Sequence, residues 1–229
     1  MEFTKLSNRL DLVASFVPAG ARLLDVGSDH AYLPIALLQE GKIEAAIAGE
    51  VVEGPYQSAL QNVADNGLED KIEVRLANGL AAFEPADGIS CITIAGMGGR
   101  LIADILAAGL EKLANVSRLV LQPNNREDEL RAWLVDYDFR IVDEAILEEN
   151  EKFYEILVVE QGSQELSAKE LRFGPYLMRE QAPAFVQKWS KEVEKLAFAL
   201  EQVPVENQSA RASLEERIAQ IKEVLHVSK

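Results

Sequence analysis

Leu23-Leu24-Asp25-Val26-Gly27-Ser28-Asp29-His30-Ala31 decides the fold of this chain. Apolar residues around a single Asp lead into a glycine turn, and a helix-like run from Tyr32 to Glu40 follows. That order describes a buried parallel strand whose carboxyl end opens onto a helix N-terminus, where an open α/β sheet binds its ligand. Gly27 lets the backbone turn tightly and approach a ligand with no Cβ in the way. The acid ahead of the turn narrows the ligand class. A pyrophosphate loop presents bare backbone N–H groups without fixed negative charge, whereas Asp25 suits a cationic or neutral ligand.

Working outward, strand-like and helix-like segments alternate. Apolar runs at 22–26, 45–49, 72–76, 89–95, 118–121, 139–147 and 154–160 read as strands. Helical stretches fall near 32–40, 55–66, 99–114 and 126–136. Pro55 fits a first helical turn and Gly67 a C-cap. The alternation predicts a doubly wound, mainly parallel sheet. Only Glu148 to Phe153 separate the last two strands, too few for a helical crossover, so they form an antiparallel hairpin. Ahead of the sheet, Leu6, Leu10, Val13 and Phe16 mark an amphipathic helix.

After residue 162 the pattern changes. Val186, Trp189, Val193, Leu196, Leu200 and Val203 recur at heptad-like spacing, Pro204 interrupts, and Leu214, Ile218, Ile221 and Leu225 resume. This predicts an antiparallel, coiled-coil-like helical hairpin, either a dimer seam or a grip on a partner. The chain thus divides into a sheet domain, 1–162, and a helical hairpin, 163–229.

The bulk numbers bound the rest. The 229 residues carry a net charge of −15. Residues 1–162 hold 13 Lys and Arg against 28 Asp and Glu, while residues 163–229 hold 10 of each, so all the net acidity lies in the sheet domain. Such acidity opposes nucleic-acid binding, although net charge does not report the chemistry of a local patch. The apolar runs are strand-sized, so no membrane span is expected, and Met1 to Val13 lack a signal-peptide core. The single cysteine, Cys91, lies in an apolar run, which excludes an internal disulfide and points to a cytoplasmic protein.

Ligands of such a sheet lie beyond the strand carboxyl ends. The first strand offers Asp25 and Gly27 there. The second offers Glu50, at the distance past Gly27 expected of a carboxylate that accepts ribose hydroxyls. The third offers Asn78-Gly79, whose amide can bond an adenine edge, and the fourth offers the bend Ala95-Gly96-Met97-Gly98-Gly99. Together they indicate a nucleoside-bearing cofactor. The later glycines of a dinucleotide fingerprint are missing, and Asp25 and Asp29 would repel a pyrophosphate while tolerating a sulfonium. S-adenosyl-L-methionine (SAM) fits, as does the terminal antiparallel hairpin.

These residues resemble the SAM-dependent methyltransferases, and within them the TrmK-type bacterial tRNA (adenine-N1)-methyltransferases. The likeness runs through Leu6-Ser7-Asn8-Arg9-Leu10, Gly27-Ser28-Asp29-His30-Ala31-Tyr32-Leu33-Pro34, Ala48-Gly49-Glu50, Ile94-Ala95-Gly96-Met97-Gly98-Gly99, Leu121-Gln122-Pro123-Asn124 and Phe153-Tyr154-Glu155. It implies a Rossmann-like class I methyltransferase sheet that places the methyl of SAM on N1 of adenine 22 in the tRNA D-arm, without a metal. It further implies cofactor contacts from Asp25, Gly27, Ser28, His30, Glu50, Val51, Asn78, Gly79, Ala95, Gly96 and Met97. Members often carry an acid where this chain has Asn78, which implies a weaker or differently oriented adenine contact.

The chemistry agrees with the resemblance. Adenine N1 carries its own lone pair and needs alignment rather than deprotonation. The product ring is cationic, so a nearby carboxylate or carbonyl stabilises the transition state. Asp29 is the candidate, helped by the Ala95 and Gly96 carbonyls, and its alternative role is a helix N-cap. Tyr32 is a candidate to stack on or orient the base, and His30 either bonds the SAM carboxylate or braces the turn. N1 lies on the Watson–Crick edge, so the base must leave its stack. Phosphates would then meet Lys5, Arg9, Arg100, Arg126, Lys188, Lys191 and Lys195. Two other functions remain open on the sequence: methylation of a small molecule or protein, and SAM-dependent regulation without turnover.

Overall fold

The structure is a computed structural model that describes residues 4–226; residues 1–3 and 227–229, the extreme ends of the two expected units, lie outside the described residues. Helix α1 (Asn8–Phe16) precedes β1 (Ala21–Val26), α2 (Tyr32–Gln39), β2 (Ile43–Glu50), α3 (Glu53–Asp65) and β3 (Ile72–Leu76). The second half runs β4 (Cys91–Met97), α4 (Gly99–Ala107), β5 (Arg118–Pro123), α5 (Glu127–Asp136), β6 (Phe139–Glu149) and β7 (Lys152–Gln161). Helices α6 (Ala168–Phe173), α7 (Pro175–Glu180), α8 (Pro183–Gln202) and α9 (Gln208–His226) complete it.

All seven expected strands form one sheet of order β3-β2-β1-β4-β5-β7-β6. The first five are parallel, and β7 runs antiparallel to both β5 and β6. The order reverses between β1 and β4, which opens a crevice at their carboxyl ends. Both faces of the parallel strands are covered. Leu24, Ile92 and Leu121 pack beneath α4 and α5, while their neighbours Leu23, Cys91 and Val120 pack beneath α1 and α2. This double burial is why these strands read as unbroken apolar runs rather than alternating ones. Cys91 is a packing residue, its thiol pushed up to about 12 by burial.

Three expectations change. The helix expected over 99–114 stops at Ala107, and past Gly109 the chain continues as a 3-10 turn, Leu110–Asn115. Glycine is a poor helix former, and here it ends the α-helix. Helices α6 and α7, six residues each, are additional and too short to show a period in the sequence. The start of α8 packs on them and on Ile146 of β6, so Phe185 takes the buried place expected of Val186, which is exposed. Helices α8 and α9 do pack antiparallel, with Leu196, Ile221 and Val224 buried between them and their surroundings.

A buried ion cluster joins this helical region to the sheet. Arg131 on α5, with no exposed surface, donates to Glu144 of β6 at 2.8 Å and to Glu155 of β7 at 2.5 Å. Lys188 of α8 donates to Glu155 at 2.7 Å and Glu127 at 3.0 Å, and the Tyr176 N–H donates to Glu144 at 2.9 Å. Gly174, at φ +84°, lies directly against the cluster; a Cβ there would come within 2.7 Å of a Glu144 oxygen.

Candidate active site

The glycine turn is pinned to its neighbour strand. The Gly27 and Ser28 N–H groups both donate to the Gly49 carbonyl, at 2.9 and 3.2 Å. Gly27 has φ +67°, and a Cβ there would run into the Met97 methyl, which lies across the turn. Asp25 is buried and accepts from the Ser28 hydroxyl at 2.5 Å and the Thr93 hydroxyl at 2.6 Å. Burial pushes its carboxyl up while the two hydroxyls pull it down, and burial prevails. Asp25 is therefore first a brace of the turn, although it also lines the cavity beside it.

Asp29, His30 and Ala31 follow with φ of 43°, 69° and 58°, three left-handed residues in succession without a glycine. Ala31 holds the N-cap position of α2 and no side chain caps the helix. Asp29 is thus not a helix cap. Its side chain is 85% exposed, while its backbone N–H donates to Glu50 Oε1 at 2.6 Å. Glu50 is almost fully buried, and burial raises its pKa against the pull of that N–H. One carboxylate at the end of β2 therefore meets the glycine loop, a contact that its spacing from Gly27 did not itself predict.

The remaining expected residues divide. Asp25, Gly27, Ser28 and Asp29 face Ala95, Gly96 and Met97 across a cavity of about 300 Å³. Val51 and Asn78 are exposed at the ends of β2 and β3, next to the Glu50–Leu76 pair, and Gly79 packs against Ile105. His30 and Tyr32 pack on each other, ring centroids 5.4 Å apart, outside the cavity lining.

Three residues not expected at the cavity line it, and a fourth backs it. Arg9 was expected on phosphate, but its Nη1 donates to Gln122 Oε1 at 2.6 Å and its guanidinium stands 5.5 Å over the Tyr154 ring. Asn124 and Tyr154 line the cavity with it, and Gln122 lies buried behind. Their motifs were legible, but their roles were not: α1, β5 and β7 bring them together only in the folded sheet.

A second cavity of about 880 Å³ opens between α8 and the sheet and shares Asn124 and Tyr154 with the first. Six cations line it, Lys152, Arg172, Lys188, Lys191, Lys195 and Arg217, against Glu127, Asp128 and Glu192. The wall is locally basic in a chain of net charge −15. Most of the expected phosphate ligands are already paired. Arg100 and Arg126 both bind Glu129, Lys191 binds Glu148 at 3.0 Å, and Lys195 lies 3.5 Å from Glu192. Lys188 belongs to the buried cluster and is not a free phosphate ligand. Lys5 is exposed and, among the described residues, without a partner. No group of three or more His, Cys, Asp or Glu suited to a metal occurs among the described residues, and no helix among them is long and apolar enough to cross a membrane.

Residues 23–223 match the family model of the TrmK tRNA (adenine(22)-N(1))-methyltransferases. The chain belongs to that family. The tRNA (adenine(22)-N(1))-methyltransferase of Bacillus subtilis strain 168 is 41% identical, over 98% of this chain and 99% of that protein. A Streptococcus pneumoniae protein solved with S-adenosyl-L-methionine is 66% identical at a TM-score of 0.90, covering 97% of this chain and 100% of that one. Mycoplasma capricolum TrmK, solved with S-adenosylhomocysteine, is 28% identical at a TM-score of 0.84, covering 98% and 99%. Membership makes this TrmK-family chain a SAM-dependent tRNA (adenine(22)-N(1))-methyltransferase.

Proposed function

We propose that the 300 Å³ cavity is where the methyl donor and adenine 22 meet, and that the larger basic cavity receives the surrounding RNA. The supporting observation is that the Gly27 turn, Asp29 (whose N–H Glu50 holds) and the Ala95–Gly96 bend line one space, which shares Asn124 and Tyr154 with that basic groove. Glu50 retains a second carboxylate oxygen for ribose hydroxyls, and Val51 with Leu76 supplies an apolar wall for the cofactor's adenine. SAM supplies an electrophilic methyl on a sulfonium. The Gly27 turn and Glu50 would hold that donor, with Met97 lying across the turn, and the acceptor base would enter from the Tyr154 side.

Tyr154, rather than Tyr32, has the better position for stacking the extruded base, because it lines both cavities. Arg9 occupies its face and must yield it, which the cationic product also favours. Asp29 stabilises the charge that develops on the purine. In this division residues 1–162 carry the chemistry and residues 163–229 grip the RNA. The exposed pairs of Arg100, Arg126, Lys191 and Lys195 are weak enough to exchange a carboxylate for a phosphate, and Lys5, Lys152, Arg172 and Arg217 add to them. A tRNA substrate and a lone buried thiol both suit the cytoplasm.

The test is Asp29→Asn, assayed with unmodified tRNA, with SAM binding read by calorimetry. Turnover falls about 10- to 100-fold, the worth of a charge-assisted contact, while SAM affinity stays within about threefold. Unchanged turnover removes Asp29 from the chemistry.

A further inference from the structure

Gln122 is fully buried at the end of β5, and its amide is saturated. Oε1 accepts from Arg9 at 2.6 Å and from the Gly96 N–H at 3.0 Å. Nε2 donates to the Pro123 carbonyl at 2.8 Å and to Asn124 Oδ1 at 3.1 Å. Asn124 Nδ2 in turn donates to the Gly96 carbonyl at 2.7 Å. One buried amide, Gln122, and one exposed amide, Asn124, thus hold both polar groups of one glycine.

The consequence falls on the peptide before it. In a trans peptide the C=O and N–H point in opposite directions, and the described residues contain no cis peptide. With the Gly96 N–H held toward β5, the Ala95 carbonyl turns toward β1. There the β1–β4 ladder has already ended, at Val26–Ile94, and the next two N–H groups, of Gly27 and Ser28, donate to Gly49 instead. The Ala95 carbonyl therefore faces the cavity with no strand donor ahead of it. The Gly96 carbonyl, expected to share its task, is taken by Asn124.

We infer that the Ala95 carbonyl accepts the N6 amino hydrogen of the target adenine, and that Gln122 is the positioning residue that aims it. This rests on the cavity being the place where donor and base meet. As N1 attacks, its lone pair becomes the new N–C bond, the methyl's bond to sulfur breaks, and the sulfur keeps that pair. Positive charge passes to the purine and is shared between N1 and N6, as in an amidinium. The N6–H becomes a stronger donor as the bond forms, so a fixed carbonyl there gains in the transition state over the ground state. The same carbonyl selects the base. Guanine would set its O6 acceptor against an acceptor.

The experiment uses tRNA carrying either adenine or unsubstituted purine at position 22; purine keeps the N1 lone pair and lacks the N6 amino group. The lower nucleophilicity of purine N1 is common to every variant, so the change in the adenine-to-purine ratio of kcat/KM reads the N6 contact. Gln122→Met loses about 10- to 100-fold on adenine and little on purine, with SAM affinity by calorimetry within about threefold. Gln122→Glu keeps the Oε1 acceptor for Gly96 and retains most of the ratio. Equal losses on both substrates overturn the proposal by reducing Gln122 to fold support. A SAM affinity that falls with kcat/KM overturns it by assigning the carbonyl to the donor's ammonium. Asp29→Asn leaves the ratio intact, so failure of the meeting place and failure of the N6 contact are told apart.

Discussion

At the scale of one residue, Glu50 ties the end of β2 to the glycine loop, accepting the Asp29 N–H at 2.6 Å. Burial raises its carboxyl above the ordinary glutamate range, the Asp29 N–H pulling the other way. On the proposed reading ribose hydroxyls donate to the carboxylate, so SAM affinity weakens as pH falls through that raised value, sooner than an ordinary glutamate would allow. Glu50→Gln binds SAM about 10- to 100-fold more weakly and without this pH dependence, as calorimetry between neutral and acid pH will read. Stability runs the other way. A carboxyl whose folded pKa is raised stabilises the fold below its unfolded value, and that contribution is lost as pH rises through the folded value. Glu50→Gln therefore raises the urea midpoint at neutral pH and not in acid. The position of Glu50 was legible from its spacing to Gly27, though its bond to the Asp29 N–H came only with the fold. The left-handed run Asp29 to Ala31 was not, because the residue types alone suit a helix N-cap equally well.

Among the elements, the cluster of Arg131, Glu144, Glu155 and Lys188 decides how the helical region meets the sheet. Burial pushes the Glu155 carboxyl up, and Arg131 with Lys188 more than reverses this, leaving it below the ordinary range. Glu144, where burial outweighs Arg131 and the Tyr176 N–H, stays above it. Replacing Arg131 by Met leaves Glu155 with Lys188 and Glu144 with only the Tyr176 N–H, and costs about 3–5 kcal/mol in urea unfolding. Strand positions were legible because each strand carries its own apolar run. The cluster was not, since in sequence Arg131 is one cation in an acidic helix and Glu155 one acid in an apolar strand.

Over the whole molecule, charge is segregated. Residues 1–162 are acidic, yet the groove between α8 and the sheet is lined by six cations against three carboxylates. On the proposed reading tRNA binds there, so its binding weakens with salt, with SAM affinity nearly indifferent to it. Replacing Lys191 and Lys195 together by Gln lowers the slope of log affinity against log salt by about 2, read by filter binding at graded ionic strength. An unchanged slope would show that these lysines keep their carboxylates and touch no phosphate. Counting charges along the chain suggested opposition to nucleic acid; only the placement of the cations on one wall reverses that.

The sequence by itself determined the sheet, its terminal hairpin, the Gly27 turn, Glu50 at the next strand end, and the paired C-terminal helices. Each of these is written in local signals, period, spacing and turn residues, that survive without knowing what lies opposite. Only the tertiary structure decided that Arg9, Gln122, Asn124 and Tyr154 belong with Ala95 and Gly96, that Asp29 is free of the helix, and that Lys188 is buried among carboxylates. These contacts join residues far apart in the chain, and strand order, not local pattern, sets which strand ends share a crevice.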